Sequence, residues 1–436
     1  MKKPKISIIG LGFVGLTLAA VNAKKGFDTI GIETNSKKLE KNRKGLSDFY
    51  EPKLERFLKE SIKKNNIKFT NNLREILKTD ITFVTVGTPP LNNGKIDLSS
   101  VESVISSLVQ ILKTKKEKHT VVIKSTVTPT TTSQIIHPQF NKIKNVKVVV
   151  NPEFLRESLA IEDLLNPHLI VIGENKTGDG LELKKYYQSF YKKCPEILFT
   201  DLSSAEMIKY SNNAFLSTKI SFINSIANIC QNIPNADVKT IAYAIGKDPR
   251  IGSLFLNAGP GFGGSCLPKD LSALIEFSKK THNLNSILKS VKIVNDDQPK
   301  RIIEIIKKMG IFNKGNTISI LGIAFKKNTD DVRDSKAISL VKILLKNNMK
   351  VKIHDPMALD NFKEIFHDKI KYCKTVSEGM LNSHCCIIMV GWDEYKNLKS
   401  KDFQKNMKKA NVIDATRILD HKKFKNISFS AIGLGD

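Results

Sequence analysis

Cysteine is scarce in this sequence, and the patterns in which cysteines hold metals or form disulfide frameworks are missing. Only six of the 436 residues are cysteines, no two form a CxxC pair, and none has the spacing of a zinc ligand set. We therefore expect neither a disulfide framework nor a bound metal, and the sequence fits a reducing compartment such as the cytoplasm.

Long apolar runs are also lacking. No segment approaches the about 18 to 20 apolar residues of a membrane span. The N-terminal MKKPKISIIG passes from lysines directly into a strand-like segment, without the apolar region and cleavage site of a signal peptide. Membrane spanning and secretion are not expected. The hydrophobic fraction of 41% is enough for packed cores, and the length suggests two or three domains.

Arginine is rare although the chain is basic. The net charge is +27, with eight arginines against 62 lysines. The lysines are scattered along the chain, and they form no dense basic block with interleaved aromatics of the kind that indicates nucleic-acid binding. Nucleic-acid binding stays a competing interpretation of the high net charge. Because lysine supplies most of the positive charges, we expect arginine mainly where a planar guanidinium has to make two parallel hydrogen bonds.

Apolar segments alternate with amphipathic ones at both ends of the chain, which predicts βαβ units. Strands are predicted at 5–9, 29–33, 81–86, 120–124, 146–150, 169–172, 317–321, 350–354, 385–390 and 411–414. From Asp201 to about Ile229 there is no Pro or Gly, which predicts one long helix capped by Ser203 or Ser204. The expected fold class is α/β, with two Rossmann-like doubly wound parallel-sheet domains (1–200 and 301–436) joined by a central helical domain (201–300) that contains the long helix.

A glycine motif follows the first predicted strand. Gly10, Gly12 and Gly15 form a GxGxxG pattern, and Glu33 ends the next strand 21 residues after Gly12. In this context the glycines favour a dinucleotide fingerprint over a turn that binds nothing. Glu33 would accept from ribose hydroxyls and repel a 2′-phosphate, which favours NAD over NADP; a solvated strand-end glutamate is the alternative.

Three other strand ends carry polar residues, at an edge where open parallel sheets bind ligands. Gly87-Thr88 and Ser125-Thr126 follow two strands, although hydroxyls there are also common in turns. Glu153 and Glu157 follow a third. Four residues apart, they would share one helical face and suit general base chemistry, unless they only decorate a helix start.

Two further positions are candidates for chemistry. Lys209 and Asn213 share a face of the long helix, where an ordinary solvated lysine is the default. Cys266 follows a glycine loop that leaves room for a ligand, unlike Cys385 and Cys386 in an apolar strand. Cys266 is therefore the best candidate for a nucleophile.

Taken together, these segments resemble the nucleotide-sugar 6-dehydrogenase family, which contains the UDP-glucose and GDP-mannose dehydrogenases. The matching segments occur in the family's order over essentially the whole chain: GLGFVG, VGTPP, KSTV, NPEFLRES, AEMIKYSNN, DPRIGSLFLNAGPGFGGSCLPKD, LGIAFKKNTDDVRDS and IDATRIL. Such a series is highly specific. The chain departs from the family at Thr128 and Thr130, where proline and glycine are usual, and at Leu169, often arginine.

The resemblance implies a four-electron oxidation of a sugar C6 alcohol to a carboxylate, with two NAD reduced and no metal. Cys266 would form a thiohemiacetal and then a thioester, which water releases. Lys209 and Asn213 would stabilise the oxyanion, Asp270 would order water, and Glu153 would act as acid and base with support from Glu157 and Thr126.

The resemblance also implies binding residues. The cofactor set is Gly10, Gly12, Phe13, Val14, Gly15, Glu33, Gly87, Thr88, Ser125, Thr126, Lys269 and Arg333. The substrate set is Phe154, Leu155, Arg156, Glu157, Lys209, Asn213, Arg250, Phe255, Gly263, Phe325, Lys326 and Arg417. The first domain would bind NAD, the central domain would carry the cysteine loop and the dimer contacts, and the last would bind the nucleotide sugar.

The loop before Cys266 is most similar to that of UDP-glucose members, so oxidation of UDP-glucose to UDP-glucuronate is favoured. GDP-mannose and UDP-N-acetylhexosamines are the alternatives. A homodimer is implied, and no nucleic-acid or membrane partner. Two competing interpretations stay open: a two-electron NAD dehydrogenase in which Cys266 is a bystander, and a basic nucleotide-binding or nucleic-acid-binding protein without turnover.

Overall fold

The computed structural model describes residues 3–281 and 285–435. The chain forms two compact units, Met1–Asn212 and Asn213–Asp436.

The first unit is built on one eight-stranded sheet. Its strands are β1 (Ile6–Ile9), β2 (Thr29–Ile32), β3 (Ile67–Thr70), β4 (Ile81–Val84), β5 (His119–Ile123), β6 (Val146–Val150), β7 (Ile170–Glu174) and β8 (Ile197–Asp201). Its helices are α1 (Phe13–Lys24), α2 (Ser36–Arg43), α3 (Leu54–Lys63), α4 (Ser99–Leu112), α5 (His137–Phe140), α6 (Ala160–Leu165), α7 (Leu181–Phe190) and the beginning of α8 (Leu202–Cys230). A 3₁₀ turn spans Leu73–Lys78 and a π turn spans Thr132–Ile136.

The strand order of this sheet is β3-β2-β1-β4-β5-β6-β7-β8. All neighbours are parallel except β6 and β7, which are antiparallel. Successive residues of a strand face opposite sides, so that Ile8 belongs to one apolar cluster and Ile9 to another. The order reverses between β1 and β4, which opens a crevice at the carboxyl ends of these strands.

The second unit contains the rest of α8 and a six-stranded sheet. Its strands are β9 (Thr317–Leu321), β10 (Lys350–His354), β11 (Lys371–Tyr372), β12 (Cys385–Ile388), β13 (Asn411–Asp414) and β14 (Ser428–Ala431), in the order β11-β10-β9-β12-β13-β14 and all parallel. Its further helices are α9 (Val238–Gly246), α10 (Leu267–Lys280), α11 (Ser286–Lys308), α12 (Lys336–Lys346), α13 (Leu359–Phe366), α14 (Val376–Met380), α15 (Asp393–Lys396) and α16 (Ser400–Asn406), with 3₁₀ turns at His367–Lys369 and His421–Lys423.

The predicted fold class is confirmed, since both sheets follow the doubly wound order. The predicted cap of the long helix is wrong. Helix α8 begins at Leu202, and the carboxylate of Asp201 accepts a hydrogen bond from the Ser204 amide at 2.9 Å. An acidic side chain one residue before the helix therefore takes the place expected for a serine hydroxyl. The predicted three-domain division stays a prediction.

Candidate functional site

The glycine loop between β1 and α1 has the geometry of a phosphate cradle. Gly10 has a φ of +90°, and a Cβ there would lie 2.9 Å from the Cα of Val86. A Cβ at Gly15 would lie 1.9 Å from the carbonyl oxygen of Gly10, whereas one at Gly12 would meet nothing within 4 Å. The first and third glycines are therefore required by the packing, while the second borders open space that a ligand can approach.

The start of α1 offers uncompensated backbone amides. Gly12 is the N-cap, no side chain caps the helix, and its first turn holds no acidic residue. The amides of such a turn favour an anion such as a pyrophosphate. Phe13 and Val14 are its first two residues, and the Phe13 ring lies 5.3 Å from that of Phe49.

Glu33 lies beside this loop and is held by two backbone amides. Its Oε2 accepts from the amide of Leu11 at 3.0 Å, and its Oε1 accepts from that of Asn35 at 2.9 Å. A carboxylate has further lone pairs, so the oriented group can still accept from ribose hydroxyls. The donors, the open space at Gly12 and Glu33 together fit a dinucleotide without a 2′-phosphate.

The loops after β4 and β5 are tied together by the predicted hydroxyls. Thr88 Oγ1 donates to the carbonyl oxygen of Thr126 at 2.9 Å, and Ser125 Oγ donates to that of Val86 at 2.7 Å. Gly87 is exposed, and a Cβ there would meet nothing within 4 Å. The structure thus places Gly87, Thr88, Ser125 and Thr126 at the carboxyl edge of the sheet, with two hydroxyls engaged in joining the loops.

Three charged residues of the first unit are buried near one another: Lys124, Glu153 and Lys209, here called the buried charge cluster. The Nζ of Lys209 lies 2.9 Å from the Oε1 of Glu153, with the two side chains only 5% and 8% exposed. The Oε2 of Glu153 accepts from the Leu155 amide at 2.6 Å. Lys209 also lies 5.7 Å from the centre of the half-buried Phe154 ring.

Burial and charge act in opposite directions in this cluster. Burial raises the pKa of Glu153, but the ammonium of Lys209 and, more weakly, that of Lys124 lower it, and the net pKa lies below the usual value. Burial lowers the pKa of Lys124 to about 8, although the Glu153 carboxylate acts to raise it. Glu153 is therefore held as a carboxylate at neutral pH.

The prediction that Glu153 and Glu157 share a helical face is wrong. Residues 151–156 have no regular secondary structure, and α6 begins only at Ala160. The Glu153 side chain accepts from a backbone amide two residues on, which competes with helix formation, and Ser158 has a φ of +65°. Glu157 is half-buried in the turn that follows.

Lys124 is a site residue that the sequence analysis did not select. It directly follows β5, whose five residues are all buried. A lysine at the end of such a strand resembles a solvated boundary residue. Its only signal was its place in the KSTV segment, beside Ser125 and Thr126.

In the second unit, Cys266 stands at the N-cap of α10 and is exposed. The glycines before it are buried: a Cβ at Gly263 would lie 2.4 Å from the Asp334 carbonyl oxygen, and one at Gly264 would lie 2.7 Å from the Phe325 ring. The Gly264 amide donates to the Arg333 carbonyl oxygen at 2.8 Å. The loop is thus fixed by its backbone and leaves the sulfur accessible, at a helix end that favours negative charge.

Asp270 lies one turn after Cys266 and is buried. Its amide donates to the Cys266 carbonyl oxygen at 2.9 Å. Its Oδ2 accepts from the Asn213 amide group at 2.7 Å, and its Oδ1 lies 2.6 Å from the Nζ of Lys269. The structure therefore brings Asn213, Lys269 and Asp270 into one polar group.

The arginines selected from the sequence all form forks or ion pairs with aspartates. Arg156 pairs with Asp163, Arg250 with Asp248 and Arg333 with Asp331, each with an N–O distance of 2.6 Å. Arg417 pairs with Asp237 at 2.7 Å and donates to the Ile432 carbonyl oxygen at 3.0 Å. In the first three pairs the arginine side chain is exposed and the aspartate is more buried, whereas the Arg417 side chain is only 5% exposed.

The remaining substrate candidates lie on loops. Leu155 is half-buried in the first unit. In the second unit, Phe255 is half-buried with a φ of +65°, and the Lys326 ammonium lies 5.6 Å from the Phe325 ring centre. Contacts of these residues with a substrate stay predictions.

Within residues 3–281 and 285–435, no group of three or more His, Cys, Asp or Glu is arranged to hold a metal ion. Among the same residues, the six cysteines form no disulfide with one another. In the same part of the chain, no helix combines the length and the apolar character needed to cross a membrane.

Comparison with known proteins identifies the family. The UDP-glucose/GDP-mannose dehydrogenase family matches this chain with its NAD binding domain at residues 4–191, its central domain at 203–297 and its UDP binding domain at 319–421.

Individual relatives match over nearly the full length. The UDP-glucose 6-dehydrogenase of Rickettsia felis is 37% identical over 433 residues, covering 99% of this chain and 96% of the relative. That of Bacillus subtilis, TuaD, is 34% identical over 437 residues, covering 99% and 93%. A UDP-glucose dehydrogenase structure from Pyrobaculum islandicum superimposes with a TM-score of 0.91 at 32% identity, covering 99% of this chain and 98% of that one.

The match of the NAD binding domain covers the glycine cradle and confirms NAD as the cofactor. The chain belongs to the UDP-glucose/GDP-mannose dehydrogenase family.

Proposed function

We propose that this NAD-dependent dehydrogenase oxidises the C6 alcohol of UDP-glucose to the carboxylate of UDP-glucuronate, with two NAD reduced per sugar. The UDP binding domain match and the relatives named UDP-glucose 6-dehydrogenase support the substrate. The single observation that carries the four-electron chemistry is the exposed Cys266 on a backbone-fixed glycine loop, one turn before the buried Asp270.

The glycine loop, the start of α1 and Glu33 would hold the cofactor. NAD bound there supplies a hydride acceptor. The chain's own residues orient it: the amides at the start of α1 face the phosphates, and Glu33 receives the ribose hydroxyls.

Cys266 would make the second oxidation possible. An aldehyde has no hydride that can leave until a nucleophile makes its carbon tetrahedral. Addition of the sulfur gives a thiohemiacetal, whose oxidation leaves a thioester that water can hydrolyse. The helix end at Cys266 favours the thiolate that begins this sequence.

Two pairs of polar residues, Lys209 with Glu153 and Asn213 with Asp270, would stabilise the oxyanion and activate water. Lys209 and Asn213, four residues apart on α8, would donate to the oxyanion at C6. Each is already oriented by a carboxylate, Lys209 by Glu153 and Asn213 by Asp270. Glu153 would take the proton of the water that attacks the thioester, and Asp270 would order that water.

The protein would act as a homodimer in the cytoplasm. Phe215, Phe222 and Ile229 are 65%, 52% and 57% exposed and recur every seven residues on α8. An apolar stripe of this kind is typical of a buried interface. The division into an NAD-binding domain (1–200), a central helical domain (201–300) and a nucleotide-sugar-binding domain (301–436) is part of the same proposal.

Separate assays of UDP-glucose, UDP-N-acetylglucosamine, UDP-galactose and GDP-mannose with NAD test the function. We expect UDP-glucose to turn over fastest and to yield two NADH per sugar. One NADH per sugar would favour a two-electron dehydrogenase. A faster rate with another nucleotide sugar would mean that this sugar, and not UDP-glucose, is the substrate. Salt-dependent DNA binding without turnover would support the nucleic-acid alternative.

A further inference from the structure

The buried charge cluster contains two cations and one anion. Lys124, Lys209 and Glu153 are 5%, 4% and 8% exposed. One buried lysine would be enough to pair with one buried carboxylate, and a second ammonium has to be taken out of water at a considerable cost. The proposed oxyanion donor, Lys209, already pairs with Glu153. The second lysine therefore needs a separate explanation.

The head group of Lys124 is fixed by a chain of hydrogen bonds. Its Nζ donates to the Oδ1 of Asn151 at 2.9 Å and to the Asn151 carbonyl oxygen at 3.4 Å. The Asn151 Nδ2 donates to the Val171 carbonyl oxygen at 2.7 Å, so its Oδ1 has to face Lys124. The Tyr187 hydroxyl donates to the same Oδ1.

The charges that act on Lys124 come from two other segments. Glu153, after β6, attracts its ammonium, and Lys209 on α8 repels it. Tyr187 on α7 stays neutral, because burial raises the pKa of its hydroxyl well above the usual value. Burial lowers the pKa of Lys124 to about 8, so Lys124 is charged at neutral and acid pH. This is the pH range in which Glu153 would become protonated without nearby positive charge.

We propose that Lys124 is a positioning residue for the hydrolytic half of the reaction, whose fixed ammonium keeps the Glu153 carboxylate ionised while Lys209 serves the substrate oxyanion. This role rests on the proposed function, in which Glu153 takes the proton of the attacking water. When the Lys209 ammonium donates to the substrate oxyanion, the Lys124 ammonium still provides a positive charge near Glu153. The second buried lysine is thereby explained.

The test compares three variants across pH 5.5 to about 9. Lys124→Gln keeps an N–H donor for Asn151 but removes the charge, and Lys124→Met removes both. Tyr187→Phe is the matched control, since it removes a hydrogen bond to the same Asn151 oxygen and leaves the charge in place. Thermal melting and NAD titration verify that each variant is folded.

We expect both Lys124 variants to lose roughly tenfold or more in kcat near pH 6 and to recover toward alkaline pH, with little change in KM. Intact-protein mass spectrometry of enzyme quenched near pH 6 should then show an acyl adduct on Cys266 that is less abundant near pH 8.5. Tyr187→Phe should keep the wild-type pH profile. If one Lys124 variant fails to fold, the other decides.

An unchanged pH profile in a folded Lys124 variant would overturn this role, as would an equal loss of kcat at all pH values. Neither result would affect the proposed function, which the wild-type enzyme tests by its yield of two NADH per UDP-glucose. A wild-type yield of one would remove the proposed function itself, independently of Lys124.

Discussion

The two units prepare their reactive groups in opposite ways. In the first unit, Glu153 and Lys209 are almost completely buried and are held by side-chain contacts. In the second, Cys266 is exposed and is held by a glycine backbone and a helix end. The difference matches the chemistry, because a proton acceptor is tuned by low dielectric and neighbouring charges, whereas a nucleophile has to be reached by its substrate.

Replacing the exposed thiol should cause the greatest loss of activity. Cys266→Ser should lower formation of the acid by at least about a thousandfold, because an oxygen nucleophile gives an ester that hydrolyses slowly. The melting temperature should barely change, since the side chain is exposed. Product analysis and melting curves test both parts.

Cys194→Ser is the control for Cys266→Ser, since Cys194 is a half-buried thiol in the other unit. It should keep full activity. Wild-type rates of acid formation in Cys266→Ser would show that the sulfur has no covalent role.

Lys209→Met should differ from Cys266→Ser by lowering stability as well as activity. It removes the ion-pair partner of the buried Glu153 and leaves only the weaker attraction of Lys124, which we expect to cost about 3 kcal/mol in unfolding free energy. Urea unfolding measures this loss. The double variant Lys209→Met/Glu153→Gln should recover a large part of it, and failure to recover would contradict the assignment of the cost to the loss of the Lys209–Glu153 ion pair.

The first unit also contains a buried carboxylate with the opposite pKa shift. Glu206 is 3% exposed, and its Oε1 accepts from the Thr132 amide at 2.8 Å. Its Oε2 has no hydrogen-bond partner among the described residues. Burial, with a smaller contribution from the charge of Asp201, raises the pKa of Glu206 from 4.5 to about 7, the opposite direction from Glu153, whose pKa is lowered by the Lys209 ammonium.

The pKa of Glu206 is higher in the folded state than in the unfolded state. The stability that Glu206 contributes is therefore fully present below pH 4.5 and is lost as the pH rises through about 7. Wild-type unfolding free energy should fall by on the order of 2 kcal/mol from this source between pH 5 and 8. Glu206→Gln should lack that fall. Equal pH dependence of melting in both proteins would contradict the raised pKa.

A substitution in the loop after β5 should change stability only slightly. Thr130 has a φ of +73°, in the left-handed region that a β-branched residue adopts only with strain, and the family usually has glycine nearby. Thr130→Gly should raise the unfolding free energy by about 1 kcal/mol. Thr128→Gly, a control without a left-handed backbone, should lower it or leave it unchanged. A loss of stability in Thr130→Gly would mean that the threonine is not strained.

The inner strands could be predicted from the sequence, and the outer ones could not. The strands that were not predicted, β3, β8, β11 and β14, are the edges of the two sheets. An edge strand is partly exposed, as in β8, where no residue is fully buried, so its apolar signal is weak.

In the candidate site as well, only the features set by local sequence could be predicted. Gly10 and Gly15 are required by local backbone geometry, which a short motif records. Lys124 and the pairing of Glu153 with Lys209 depend on burial created by distant segments, and a lone lysine in the sequence carries no sign of it. Glu153 was placed on a helix that does not form, because its side chain binds the local backbone instead.

Peptide mapping by mass spectrometry of enzyme quenched during turnover with UDP-glucose and NAD shows whether Cys266 becomes acylated. We expect the peptide that contains Cys266 to carry the mass of the sugar nucleotide joined as an acyl group, in a fraction that disappears as the substrate is consumed. If that peptide stays unmodified at every time point while UDP-glucuronate accumulates, the sulfur does not capture the half-oxidised sugar and the covalent account is wrong.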